Sequence, residues 1–354
     1  MALTSEVEKI FRKIHSQFKI RNPECNRIEM LTGVLDKYAG AGNYFVTPAV
    51  IMATEDIRGY CVVINNCRGF IPETAALALK SNLLVAIGAE FSAAEIILPL
   101  YFSMGEIEAH SADILTGTTR EQKLELGNRA LMTLLNIDAL SRLATGHYPL
   151  YSTLESCHIQ IRETVELYSL GYIRSAITTL LPCIEHAIRA LGIKVGIKNP
   201  ETVKTADLAE IYSAWFKFYI NQVVFKDYDW KPQSVREISY FSGFDERIQI
   251  GSIGLNYFRN NLYQHSSSDD GISGLNRHSI LHGFMPNYFT DANYLRLINF
   301  LNNICFMISF TGDNFSNFFP SQTSESKVFT RHLYKLQEIG AARARLLDEM
   351  EMTR

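Results

Sequence analysis

Ile173, Ile177, Leu180, Leu181, Ile184, Ile188 and Leu191 fall at steps of three and four along one stretch of the chain. That is the period of a helix burying one face. Gly192 follows as a stop. Pro182 lies inside the stretch and is expected to kink the helix or to mark a join between two. A long one-sided helix has to be covered by other elements, and the rest of the sequence offers mainly further helices.

Taken in order, a stripe of Val7, Ile10, Phe11, Ile14 and Phe18 follows the capping-type run Thr4-Ser5-Glu6 and stops at Asn22-Pro23. A second helix is expected over residues 27–38, ended by Gly40-Ala41-Gly42. Ile71-Pro72-Glu73 reads as a helix start. Helical patterning continues over 93–104 and 106–115, and then over a long helix at 120–144. Residues 151–168, 207–224, 252–264 and 291–310 read the same way, and a charged helix spans about 325–350. Only residues 59–66 carry strand character, and they fit a buried helix equally well. The fold class expected is all-α. Gly146-His147-Tyr148-Pro149 reads as a domain boundary. It separates a multi-helix accessory or regulatory region, 1–150, from a helical domain, 151–322, and the charged C-terminal helix, 323–354.

The chain has 354 residues, 47% of them apolar, which suffices for a substantial core. Its formal net charge of −3 argues against a surface given over entirely to nucleic acid, while leaving room for a local basic site. Six cysteines, Cys25, Cys61, Cys67, Cys157, Cys183 and Cys305, form no CxxC pair and are expected to be reduced and mostly buried. No secretory signal opens the sequence, and the most apolar stretch, 83–102, is interrupted by Glu90 and Glu95. A soluble, cytoplasmic protein without a membrane span is expected.

The candidate chemistry lies in Gly274-Leu275-Asn276-Arg277-His278-Ser279-Ile280-Leu281-His282-Gly283. Asn276 is a favoured N-cap, and Ile280 and Leu281 would anchor a short helix to a core. Arg277 and His282, five positions apart, would then lie on adjoining flanks, about 140° apart. A guanidinium, an imidazole and a helix start together suit a phosphate. Arg259, Asn260 and His265 form a rival constellation, with His265 at the edge of the polar run 266–271. Spacing does not separate the two pairs. For Arg277 and His282 the bland reading is a cap plus a buried histidine hydrogen-bonded to backbone. Glu185 and Arg189 form an i, i+4 pair on the strongly apolar helix, worth a few tenths of a kcal/mol as a surface pair.

An Arg followed by a polar residue, with a His four to six positions after the Arg and a Gly next, resembles the signature of the HEPN superfamily. The resemblance rests on this short motif and covers roughly the second half of the chain. It implies a HEPN-like helical bundle acting as a metal-independent endoribonuclease with no cofactor. It also implies a site often shared across a homodimer, and a possible toxin or anti-phage defence setting. In that chemistry the RNA 2′-hydroxyl attacks the adjacent phosphorus. Arg277 stabilises the phosphoryl oxygens, His282 serves as base or acid, and His278 orients the phosphate. Asn276 and Gly283 shape the loop and allow close backbone approach. A supporting role for Glu185 and Arg189 beside the Arg–His motif is also what the resemblance implies. The alternative is a HEPN-like scaffold without catalysis that binds a protein partner or a nucleotide. Glu155-Ser156-Cys157-His158 matches half of a di-iron motif, but no second copy exists. The sequence contains no HExxH, GxxxxGK[ST], GxSxG or GxGxxG, which disfavours proteases, P-loop NTPases and dinucleotide enzymes.

Overall fold

Asn65 and Asn66 both adopt positive φ, 50° and 63°. A two-residue type I′ hairpin needs that backbone at both positions, and Asn tolerates it better than most residues with a side chain. The turn makes residues 57–64 a strand, so the expectation of a purely helical chain gives way to a mostly helical one with a small sheet. A computed structural model describes residues 3–20, 27–51, 56–73, 83–198, 201, 204–264, 273–283, 287–312 and 318–352.

In chain order the elements begin with α1 (Ser5–Ile20), α2 (Arg27–Ala39), β1 (Tyr44–Ile51), β2 (Ile57–Ile64) and β3 (Cys67–Pro72). There follow α3 (Leu83–Ala93), α4 (Met104–Leu115), α5 (Arg120–Leu134), α6 (Ile137–Gly146), α7 (His158–Ser169), α8 (Ile173–Lys194) and α9 (Thr205–Phe218). The last are α10 (Ile238–Phe241), α11 (Glu246–Tyr257), α12 (Arg277–Leu281), α13 (Asp291–Ser309) and α14 (Ser324–Met352). By its contacts the chain divides into two units. One is Met1–Asn82 with Phe216–Gln249, and the other is Leu83–Trp215 with Ile250–Arg354. The division therefore does not follow a boundary near residue 150, and α14 packs on α6 and α7 rather than standing apart as a third region.

In the first unit, β1, β2 and β3 form an antiparallel meander, with Tyr44 opposite Ile64 and Gly59 opposite Pro72. Ile71-Pro72 ends strand β3, and the helix expected after it falls on residues 74–82, outside the described residues. Val7, Phe11 and Ile14 of α1 and Leu31, Val34 and Leu35 of α2 share a core with Tyr60, Val62, Ile64, Ile71 and Trp230. Gly69 permits that closeness, because a Cβ there would lie 2.4 Å from the Phe11 ring. Gly69→Ala is expected to lower stability by about 1–3 kcal/mol through overpacking, read as a fall in the denaturant midpoint at unchanged slope.

In the second unit α13 is the centre. Every residue from Ala292 to Ile308 is buried, and α8 packs along it. The apolar stripe of α8 is covered as its period requires, and Pro182 sits within one continuous helix. Among the described residues α8 is the one helix long and apolar enough to cross a membrane, and 61% of that window is buried inside the protein. The expected long helix over 120–144 is two helices, α5 and α6, because Asn136 caps the second by accepting from the Ala139 N–H at 3.0 Å. Helix α7 starts at His158, later than expected, after two short 3₁₀ turns. Gly146-His147-Tyr148-Pro149 is no linker. His147, Tyr148 and Tyr151 are buried with their rings in contact, and burial pushes His147 down to about 4, so it is neutral.

The apolar run after α3 also departs from the expected helix at 93–104. It is irregular as far as α4, with Glu95 and Tyr101 at φ 55° and 74° near its two ends. Pro99 is ill suited to a helix interior. The carbonyls of this run find donors on α13 instead. Arg296 donates to Ala94 O (3.2 Å) and Glu95 O (2.9 Å), and Asn299 donates to Ile97 O (2.6 Å). Tyr101 donates to Asn302 O (3.2 Å) and Tyr148 to Asn302 Oδ1 (2.9 Å). Asn293, Arg296, Asn299, Asn302 and Asn303 make a polar stripe along a helix that is otherwise core.

Candidate functional site

Helix α12 begins where the sequence places it. Asn276 is its N-cap and accepts from the Ser279 N–H at 3.0 Å. The Asn276 side-chain amide also donates to Gln264 O at 2.8 Å, tying α12 to the end of the α11 segment. At five residues, α12 is too short to add much dipole, so any attraction for anions comes from side chains. His282 lies just past its end, exposed, and Gly283 closes it at φ +75°. Among the described residues nothing lies within 4 Å of where a Gly283 Cβ would be, so the positive φ of the turn is what calls for glycine there.

Arg277 points toward α8. Its Nε donates to Glu185 Oε1 at 2.7 Å. The same oxygen accepts from the Tyr263 hydroxyl at 2.9 Å, and Glu185 Oε2 accepts from Arg189 at 3.4 Å. The Arg277 guanidinium also sits 5.8 Å from the centre of the Tyr263 ring. A buried carboxylate is thus held by two guanidinium groups and a phenol. Burial, then the charge of Glu185, push the Tyr263 hydroxyl well above its ordinary value, so it remains a donor. The Arg277 side chain keeps 19% of its exposure, so the group is fixed from one side and reachable from the other.

His278 and His282 are one helical turn apart, and their rings meet at 4.4 Å between centroids. The structure therefore brings Arg277, Glu185 and Arg189 together, and His278 with His282. Of the rival set, Arg259 and Asn260 are exposed on a π-helical turn, Phe258–Leu262, that follows α11. His265 lies outside the described residues. Sequence reasoning missed Tyr263, although an aromatic beside the rival Arg259-Asn260 pair was a visible signal. Among the described residues no three His, Cys, Asp or Glu side chains gather in a way that could hold a metal ion. No family model, no curated protein and no solved structure matches the chain.

Proposed function

We propose that the chain is a metal-independent endoribonuclease of HEPN type, with Arg277, His278 and His282 as its reacting groups. The observation that carries this reading is the Glu185–Arg277 ion pair. It fixes the guanidinium at the start of a helix whose other end presents an exposed imidazole. A fixed guanidinium needs little reorganisation as charge builds on a phosphoryl oxygen. An imidazole has an ordinary pKa near neutrality and suits proton transfer from the 2′-hydroxyl or to the leaving oxygen. Glu185 acts through Arg277 and is a positioning residue, as are Arg189 and Tyr263. A homodimer sharing the site, and a toxin or defence setting, go with the same reading.

The test is cleavage of a mixed RNA pool in excess EDTA by the purified full-length protein. Wild type should leave 2′,3′-cyclic phosphate ends, and His282→Ala should lower the rate by about 10²–10⁴-fold while folding normally. Loss in His265→Ala alone would transfer the site to Arg259, Asn260 and His265. Absence of cleavage by folded wild type would defeat the proposal. It would favour a scaffold binding a protein partner or nucleotide, for which Arg277 is simply the counter-ion of a buried Glu185 and the overall charge of −3 is no handicap.

A further inference from the structure

Lys231 is buried, with 7% of its surface exposed, and among the described residues it has neither a hydrogen-bond acceptor nor an ion-pair partner. Its ammonium lies 5.8 Å from the centre of the Phe225 ring. Lysines are almost never fully buried unless paired. The backbone gives this one little freedom to move. Trp230 adds to the free edge of β3, bridging Gly69, with Phe70 N–H donating to Trp230 O at 2.9 Å and Asp229 N–H to Arg68 O at 2.8 Å. The Trp230 ring is stacked on Phe11 at 5.2 Å, and Pro232 follows.

The lysine lines a cavity of about 350 Å³ together with Glu8, Arg12, His15, Trp230 and Arg236, all within the unit that holds the sheet. Arg236 is held there by donating from Nε to Lys231 O at 3.0 Å, which sets a second cation beside the first. Arg12 pairs with Glu8 at 2.7 Å. Arg12, Arg236 and Lys231 thus share the lining with one carboxylate, that of Glu8, and Asp229 lies near enough for its charge to act on Lys231.

We propose that this cavity binds the phosphate group of a small molecule, with Lys231 and Arg236 as its charged contacts and Arg12 and His15 at the rim. A phosphate group offers three acceptor oxygens to the donors of Lys231, Arg236 and Arg12, more than a single carboxylate can. The site is independent of α12 and does not rest on the ribonuclease reading. Proton linkage supports it. Burial, then the charge of Arg236, push Lys231 down to about 8, opposed by the charge of Asp229. Arg12, Glu8 and His15 of α1 line the same cavity. A bound anion should raise that value again, so binding should weaken above about pH 8, as Lys231 loses its proton, and again below about pH 6, as the phosphate takes up its second proton.

The experiment is calorimetric titration of the full chain with inorganic phosphate and, separately, with adenosine monophosphate. In parallel, Lys231 is followed through its titration by NMR with and without the ligand. Binding of either probe is expected, with the Lys231 titration moving upward and Lys231→Met weakening affinity by about tenfold or more. Tighter binding of the nucleotide would make the ligand a phosphomonoester, and equal binding would make it the free anion. Arg236→Gln serves as a second variant should Lys231→Met fail to fold, and should weaken binding similarly. No binding of either probe at about 10 mM would overturn the proposal, as would folded variants that bind as well as wild type.

Discussion

Replacing Arg296 by methionine should lower the stability of the unit centred on α13 by about 3–5 kcal/mol. The guanidinium is 2% exposed and donates to two main-chain carbonyls, Ala94 O and Glu95 O, and to Asn293 Oδ1. Burial lowers its pKa, a sign of how much desolvation it bears, and Tyr257 and then Glu95 offset part of this. Methionine fills similar volume but leaves those acceptors without donors in a closed interior. Each such loss costs about 1–3 kcal/mol, so the two carbonyls alone account for most of the effect. The measurement is denaturant unfolding followed by tryptophan fluorescence, and the chain's two tryptophans divide the task. Trp215 donates to Met307 O at 2.8 Å and reports on α13, while Trp230 reports on the sheet-bearing unit. The transition seen by Trp215 should move to lower denaturant. A loss under about 1 kcal/mol would mean that water reaches Ala94 O and Glu95 O.

The same stripe shows where the sequence was legible and where it was not. Local rules sufficed for α1, α8, α12, α13 and α14, because their periodicity and caps are written in neighbouring residues. Asn276 capping Ser279 is the clearest case. They failed at residues 94–100, where an apolar run looks helical but its carbonyls are satisfied from about 200 positions away. The counter-signal lay on the other side of the contact. Asparagines and an arginine at steps of three inside an apolar helix must have partners, and those partners cannot be local. Residues 59–66 were ambiguous for a different reason, since short apolar runs fit both periods and only the Asn65-Asn66 turn decides between them. At the candidate site, Arg277, His278 and His282 were visible as a motif. The meeting of Glu185 with Arg277 spans 92 positions and depends on how α8 lies, and Tyr263 becomes part of the cluster only through that packing.

That cluster carries the other large effect. Glu185→Ala should cost about 2–4 kcal/mol, because it leaves Arg277 and Arg189 facing each other without their shared carboxylate and strips the acceptor from the buried Tyr263 hydroxyl. The figure reaches below the range for broken buried pairs, since the two arginines keep 26% and 19% of their side-chain exposure and water takes up some of the charge. Removing both ends should cost less than the sum of the parts. Arg277→Met combined with Glu185→Ala is expected to show a coupling of about 1–3 kcal/mol in a double-mutant cycle. Additive losses would mean that the pair does not act as a unit. Glu185→Gln separates architecture from function. It retains an oxygen for Arg277 and Tyr263 but loses the charge that holds the guanidinium. If Glu185 positions a group that contacts the scissile phosphate, Glu185→Gln should lower RNA cleavage well beyond any change in the folded fraction, and the fall should appear in kcat rather than KM. A variant that cleaves RNA in proportion to its folded fraction would make Glu185 a purely structural partner.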